Sequence, residues 1–262
     1  MHKIRIVQVL WIILSLHIMI SRSKIIPKPR IAGGDAVNIT EAKFMVQVIS
    51  DTHCGGSLVT PIHVITAAHC VEGIEPSDVT VIGGATYFNK DGLRRNIDTI
   101  YLPEEYDNIE SSLDIAVLRL SSPLTGPDVA TIDLCSTQWE EGALFKVYGW
   151  GAIFENAIYI NDYIVLMQYF RVPLQLHMVE VPALTVDICE NLYGNVLPNV
   201  YFCAGIVGEK DSCHGDSGGP AVYNNQLCGV VSQGLPCPEI SLYVNINHVR
   251  DFLEKIIQLD GE

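Results

Sequence analysis

From Lys43 onward the chain is a series of short apolar runs, at residues 44–49, 56–60, 63–66, 79–82, 115–120, 144–148, 176–181, 228–231 and 242–244. Gly, Pro, Asn and Asp separate them, and each is strand-sized rather than helix-sized. This pattern predicts an all-β protein with Greek-key or barrel closure. Only near the C-terminus does the period change. There Val249, Phe252, Leu253, Ile256 and Ile257 share one face at helical spacing, and Asn247 is placed to cap it. A single closing α-helix is expected.

The first thirty residues follow a different logic. Lys3 and Arg5 precede an apolar stretch over 6–20, and small polar Ser21 and Ser23 come next. That is the layout of a secretory signal peptide, assigned to residues 1–23. A signal anchor is the rival reading, but Gln8, Ser15 and His17 interrupt the stretch and it is short for a membrane span. No later segment is long and apolar enough to span. A secreted, extracellular protein without membrane attachment after signal removal is expected.

Charge adds one exclusion. The formal net charge of −14 becomes −20 once residues 1–30, with six basic and no acidic side chains, are removed. Such a surface argues against nucleic acid or anionic lipid as partner and favours encounter with basic substrates.

Candidate chemistry lies in three segments. Residues 212–220 read Ser-Cys-His-Gly-Asp-Ser-Gly-Gly-Pro. A serine in a turn of glycines can project its hydroxyl into a cleft while neighbouring amides converge on one point, as an acyl-transfer nucleophile requires. Residues 66–70 read Thr-Ala-Ala-His-Cys, and residues 113–120 read Leu-Asp-Ile-Ala-Val-Leu-Arg-Leu. An aspartate leading straight into an apolar strand is expected to be partly buried and to need a partner such as an imidazole N–H.

These segments, in the order His, Asp, Ser, resemble the chymotrypsin-like (trypsin family) serine proteases from Ile31 almost to the C-terminus. The resemblance implies two six-stranded antiparallel Greek-key β-barrels with a C-terminal α-helix, and the active site between the barrels. It implies His69 as general base, Asp114 as orienting carboxylate and Ser217 as nucleophile, with the backbone N–H groups of Gly215 and Ser217 as oxyanion hole. Residues 24–30 then read as an activation propeptide and 31–262 as the protease domain. After cleavage following Arg30, the new Ile31 ammonium would pair with Asp216.

Asp211, six residues before Ser217, stands where trypsin-like members place the acid of the primary specificity pocket, implying cleavage after Arg or Lys. Ser232, Gly234 and Ser241 are the matching pocket positions. Three departures bear on efficiency: Gln233 replaces an apolar wall, Ser241 replaces a glycine, and the loop from Cys237 to Tyr243 is short.

Eight cysteines in an exported chain imply disulfides. The family pattern pairs Cys54 with Cys70, Cys189 with Cys203, and Cys213 with Cys237. Cys135 and Cys228 remain, and a fourth internal bridge is one reading of them. Some relatives use a cysteine near Cys135 to tether the propeptide, but no cysteine precedes Cys54. Phe145 and Tyr223 occupy the places of a bridge the family usually has.

The connection between Trp150 and Leu176 is roughly a dozen residues longer than usual, and long irregular connections are uncommon. Its excess, residues 156–169, is apolar and β-prone. Either a functional insert beside the cleft or a retained intron would account for it. No cofactor or metal is implied, since the loop over 84–91 lacks paired acids at ligand spacing. Asn38-Ile-Thr40 is a glycosylation sequon. Expected partners are protein or peptide substrates, an activating trypsin-like protease and protein inhibitors, with the protein itself a monomer. The alternative is a protease-fold binding or regulatory protein without catalysis.

Overall fold

A computed structural model describes residues 34–104, 106, 113–151, 158–160, 163–165, 175–194, 198–207, 209–212, 215–234 and 240–260. The strands in chain order are β1 (Asp35–Ala36), β2 (Met45–Ile49), β3 (His53–Thr60), β4 (His63–Thr66), β5 (Thr80–Gly83), β6 (Leu93–Tyr101), β7 (Ala116–Leu120), β8 (Asp133–Leu134), β9 (Leu144–Gly149), β10 (Ile158–Ile160), β11 (Tyr163–Val165), β12 (His177–Pro182), β13 (Tyr201–Ala204), β14 (Pro220–Tyr223), β15 (Gln226–Gly234) and β16 (Ser241–Asn245). Among the described residues two α-helices accompany them, α1 (Val186–Tyr193) and α2 (Ile246–Leu259).

Strands β2-β3-β4-β7-β6-β5 close into a six-stranded antiparallel barrel. It is filled by Met45, Leu58, Ile65, Leu118 and Leu124, all essentially inaccessible to water. The second sheet runs β12-β9-β14-β15-β16-β13, with β1 added at the β12 edge and β8 pairing β15. Its ends meet where Ala183 bridges Ala204 and the Leu184 N–H donates to the Cys203 carbonyl. Two six-stranded barrels are therefore present, the second closed by a short seam. Each of the nine sequence-predicted runs is a strand, shifted at its ends by a few residues.

The second barrel core is aromatic. Phe145 and Tyr223, the two positions of the missing bridge in the sequence reading, pack with tilted rings at 5.4 Å between centroids, and Phe145 also meets Phe202 at 5.0 Å. Such pairs add about 0.5–1.5 kcal/mol beyond area burial. The bridges Cys54–Cys70, Cys189–Cys203 and Cys135–Cys228 are formed, the last joining β15 to the segment after β8. Cys213 and Cys237 lie outside the described residues.

The closing helix starts earlier than the sequence predicts. Asn245, not Asn247, is the N-cap, and its side-chain oxygen accepts the Asn247 N–H. The anticipated face is otherwise correct, with Val249, Leu253 and Ile256 buried together with Ile246. Within the long connection, β10 and β11 form an antiparallel pair that, among the described residues, joins no other strand.

Candidate active site

Asp114 lies where the two barrels meet, bonded to His69 of the first and to Ser232 and Tyr201 of the second. It lies just before β7, is only 4% exposed, and its carboxylate collects three hydrogen bonds. Oδ1 accepts the His69 backbone N–H at 2.9 Å, while Oδ2 faces His69 Nδ1 at 2.8 Å and accepts the Ser232 hydroxyl at 2.5 Å. Burial alone would raise its pKa. The hydrogen bonds and positive potential of His69, with Ser232, outweigh that and hold the carboxyl below its ordinary value. A carboxylate accepts only, so His69 Nδ1 must carry the proton and Nε2 is left with a free lone pair in the neutral ring. The imidazole is 40% exposed, facing the cleft.

His69 sits in a 3-10 turn directly after β4, locked by the Cys54–Cys70 bridge. The Ser217 loop is fastened beside it from two sides. Gly55, next to Cys54, donates its N–H to the Ser217 carbonyl at 2.7 Å. The Gly218 N–H donates to Val231 and the Val231 N–H to Gly219, clipping the loop to β15 one residue before Ser232. Gly218 adopts φ +76°, and a Cβ on it would run into Thr66 Oγ1 and the Gly55 carbonyl, so a side chain there would be strained and would collide. Gly215 takes φ +94° at the start of the turn.

Asp216 is fully buried and accepts the Gly151 N–H at 2.7 Å. A Cβ on either Gly149 or Gly151 would run into its carboxylate, which explains both glycines flanking Trp150. Arg30 and Ile31 lie outside the described residues.

Asp211 is completely buried, and its Oδ1 accepts the Ser241 hydroxyl at 2.6 Å. Ser212 in turn donates to Ser241 at 2.6 Å. Gly234 opposes Ser241 in the β15–β16 register, and Ser241 Oγ fills the space above it. The serine thus occupies room that a glycine would leave open. Gln233, beside them on β15, is exposed.

Two contributors escaped the sequence reading. Ser212 was inside the nucleophile motif yet carries no signal of its own, and Tyr201, on β13, reaches the backbone of Asp114 from the other barrel. Asn38 is exposed, but its side-chain oxygen accepts the Thr40 N–H as part of a capping box. Cys54, His69 and Cys70 bring ligand-type atoms within 4.8 Å of each other, but both sulfurs are spent in the disulfide and offer no thiolate.

A family model described as Trypsin matches residues 31–253. Hypodermin-B of Hypoderma lineatum is 35% identical over 233 residues, covering 86% of this chain and 86% of that protein. The vitellin-degrading protease of Bombyx mori is 33% identical over 248 residues, covering 90% and 89%. Among solved structures, the scabies mite inactivated protease paralogue S-D1 superposes with a TM-score of 0.75 at 27% identity, covering 87% of this chain and 97% of that one. With barrels, motif order and family match in agreement over the same residues, the chain belongs to the trypsin family of serine proteases.

Proposed function

We propose that the protein is a secreted serine endopeptidase, made as an inactive precursor and switched on by cleavage at Arg30–Ile31, which hydrolyses peptide bonds after Arg or Lys. The observation that carries this reading is the buried Asp114 carboxylate fixing His69 through two hydrogen bonds while the imidazole stays open to the cleft. In the proposed reaction His69 Nε2 takes the Ser217 proton as Oγ attacks the scissile carbonyl. The Gly215 and Ser217 N–H groups receive the oxyanion, and His69 returns the proton to the leaving amine. Water then repeats the sequence on the acyl-enzyme. Asp114 stays ionised and stabilises the imidazolium.

Activation follows from Asp216. Before the cut the Ile31 ammonium does not exist; afterwards it would supply a charge partner for a carboxylate that is fully buried. Breaking such a pair costs about 3–5 kcal/mol, enough for one cut to order the neighbouring oxyanion loop. Basic specificity is supported by Asp211, whose burial favours a cationic guest. Protein substrates, an activating trypsin-like protease and protein inhibitors are the corresponding partners.

Labelling with a serine-directed fluorophosphonate tests this. The Arg30-cleaved protein should react at Ser217, whereas an uncut Arg30→Gln protein and a cleaved Ser217→Ala protein should not. The rival reading, a protease-fold protein without turnover, draws support from Ser241 filling the pocket and from the match to a structure titled an inactivated paralogue. Absence of labelling after cleavage would establish it.

A further inference from the structure

The backbone at Asp114 is held in an unusual way. Leu113 has φ +54°, a left-handed conformation costly for a residue with a side chain. The Ile115 N–H donates to the Leu113 carbonyl at 2.7 Å, so Asp114 is the centre of a three-residue turn. Such a turn directs the Asp114 N–H away from its own strand, into protein interior. Its acceptor there is the Tyr201 hydroxyl, at 3.3 Å in a buried setting.

Tyr201 is itself immobilised. Its N–H donates to the Pro198 carbonyl, it pairs with Val244 of β16, and its side chain is buried. The phenol oxygen accepts from the Asp114 N–H, while Ser232 of the same barrel gives its hydroxyl proton to Asp114 Oδ2. The second barrel thus grips Asp114 at two places, the backbone through Tyr201 and the carboxylate through Ser232.

We propose that Tyr201 is a positioning residue for Asp114, holding its backbone through the buried bond from the Asp114 N–H to the phenol oxygen. One rigid phenol thereby ties the orienting acid of the first barrel to β13 of the second. It stabilises the strained turn that aims the carboxylate at His69. The proposal rests on the reading of Asp114 and His69 as an acid–base pair, and it adds a residue that touches neither substrate nor the reacting atoms.

The test is Tyr201→Phe in the Arg30-cleaved protein, with active sites counted by fluorophosphonate titration and peptide hydrolysis followed against pH. Loss of this buried hydroxyl should lower kcat about 3- to 10-fold with KM within about twofold. With the turn loosened, the Asp114 carboxylate faces the imidazole less squarely and stabilises the imidazolium less, so the acid limb of kcat/KM should move to lower pH. A Tyr201→Phe protein with wild-type kcat and an unmoved acid limb would overturn the proposal. A wild-type protein that neither labels nor turns over would remove the catalytic reading itself, and this proposal with it.

Discussion

Asp260→Ala is the most telling perturbation of stability, because it opens a junction between the barrels far from the cleft. Asp260 caps the end of α2, which follows β16 of the second barrel, and reaches the outer wall of the first. Its Oδ2 accepts from His63 Nε2 of β4 at 2.9 Å, and its Oδ1 accepts from the Tyr101 hydroxyl of β6 at 3.1 Å. Arg119 Nε of β7 stands 3.7 Å away, while its Nη1 is paired with Asp98. His63 is 2% exposed, so without Asp260 its N–H has no route to water; such a stranded donor costs about 1–3 kcal/mol. Tyr101 is half-buried and can turn to solvent, adding about 0.5–1 kcal/mol. Arg119 keeps Asp98 and adds little.

The sum, about 1.5–4 kcal/mol, corresponds to a fall in Tm of roughly 3–16 °C for a domain of this size. Urea and thermal unfolding of Ser217→Ala protein, which cannot digest itself, would measure it. Removing both polar partners should hurt less than removing one, so His63→Leu with Asp260→Ala should recover more than half of the loss. A single-mutant effect below about 0.5 kcal/mol, or a double mutant no better than the single, would refute the reasoning.

Acid sensitivity should follow from the same carboxylates: Asp114 and Asp260 both have folded pKa values below the ordinary range. Their stabilisation is therefore complete above the unfolded value of about 3.9 and is lost as pH falls through the folded values; urea midpoints between about pH 2 and 6 should drop on the acid side, and Asp260→Asn should flatten that drop. Ser241→Gly should raise kcat/KM on Arg and Lys peptides by about 10- to 100-fold, since a serine on Asp211 displaces the guest cation by an ångström or so, while Asp211→Ser should abolish the basic preference. A preference of the activated wild type for Phe, Leu or Ala would contradict the pocket assignment. Deleting about a dozen residues around the β10–β11 hairpin should leave folding intact or improved, since these two strands belong to neither barrel's sheet. Mass-spectrometric detection of peptides spanning 156–169 in native material would exclude the intron reading and establish the hairpin as part of the protein.

The sequence alone determined the strands that bury a face. Runs such as 63–66 and 115–120 are apolar because they line a barrel, and local pattern carries that information. It also contained the three motifs, since a nucleophile turn requires glycine at positions such as Gly218 and leaves a local signature. Strand β6 was not legible, because Arg94, Arg95 and Asp98 face solvent and only pairing with β5 and β7 makes it a strand. Helix α1 was missed for a related reason: Thr185 caps it and Gly194 ends it, but Val186 and Ile188 are exposed and only Cys189 is buried, so no apolar stripe announces it. The hydrogen bonds to Asp114 from Ser232 and Tyr201, and the Asp260 junction with His63, join residues separated in sequence by 118, 87 and 197 positions. No local pattern encodes such pairs. Each hydroxyl or ring is unremarkable where it stands in the chain, and closure of the two barrels alone brings it to its partner.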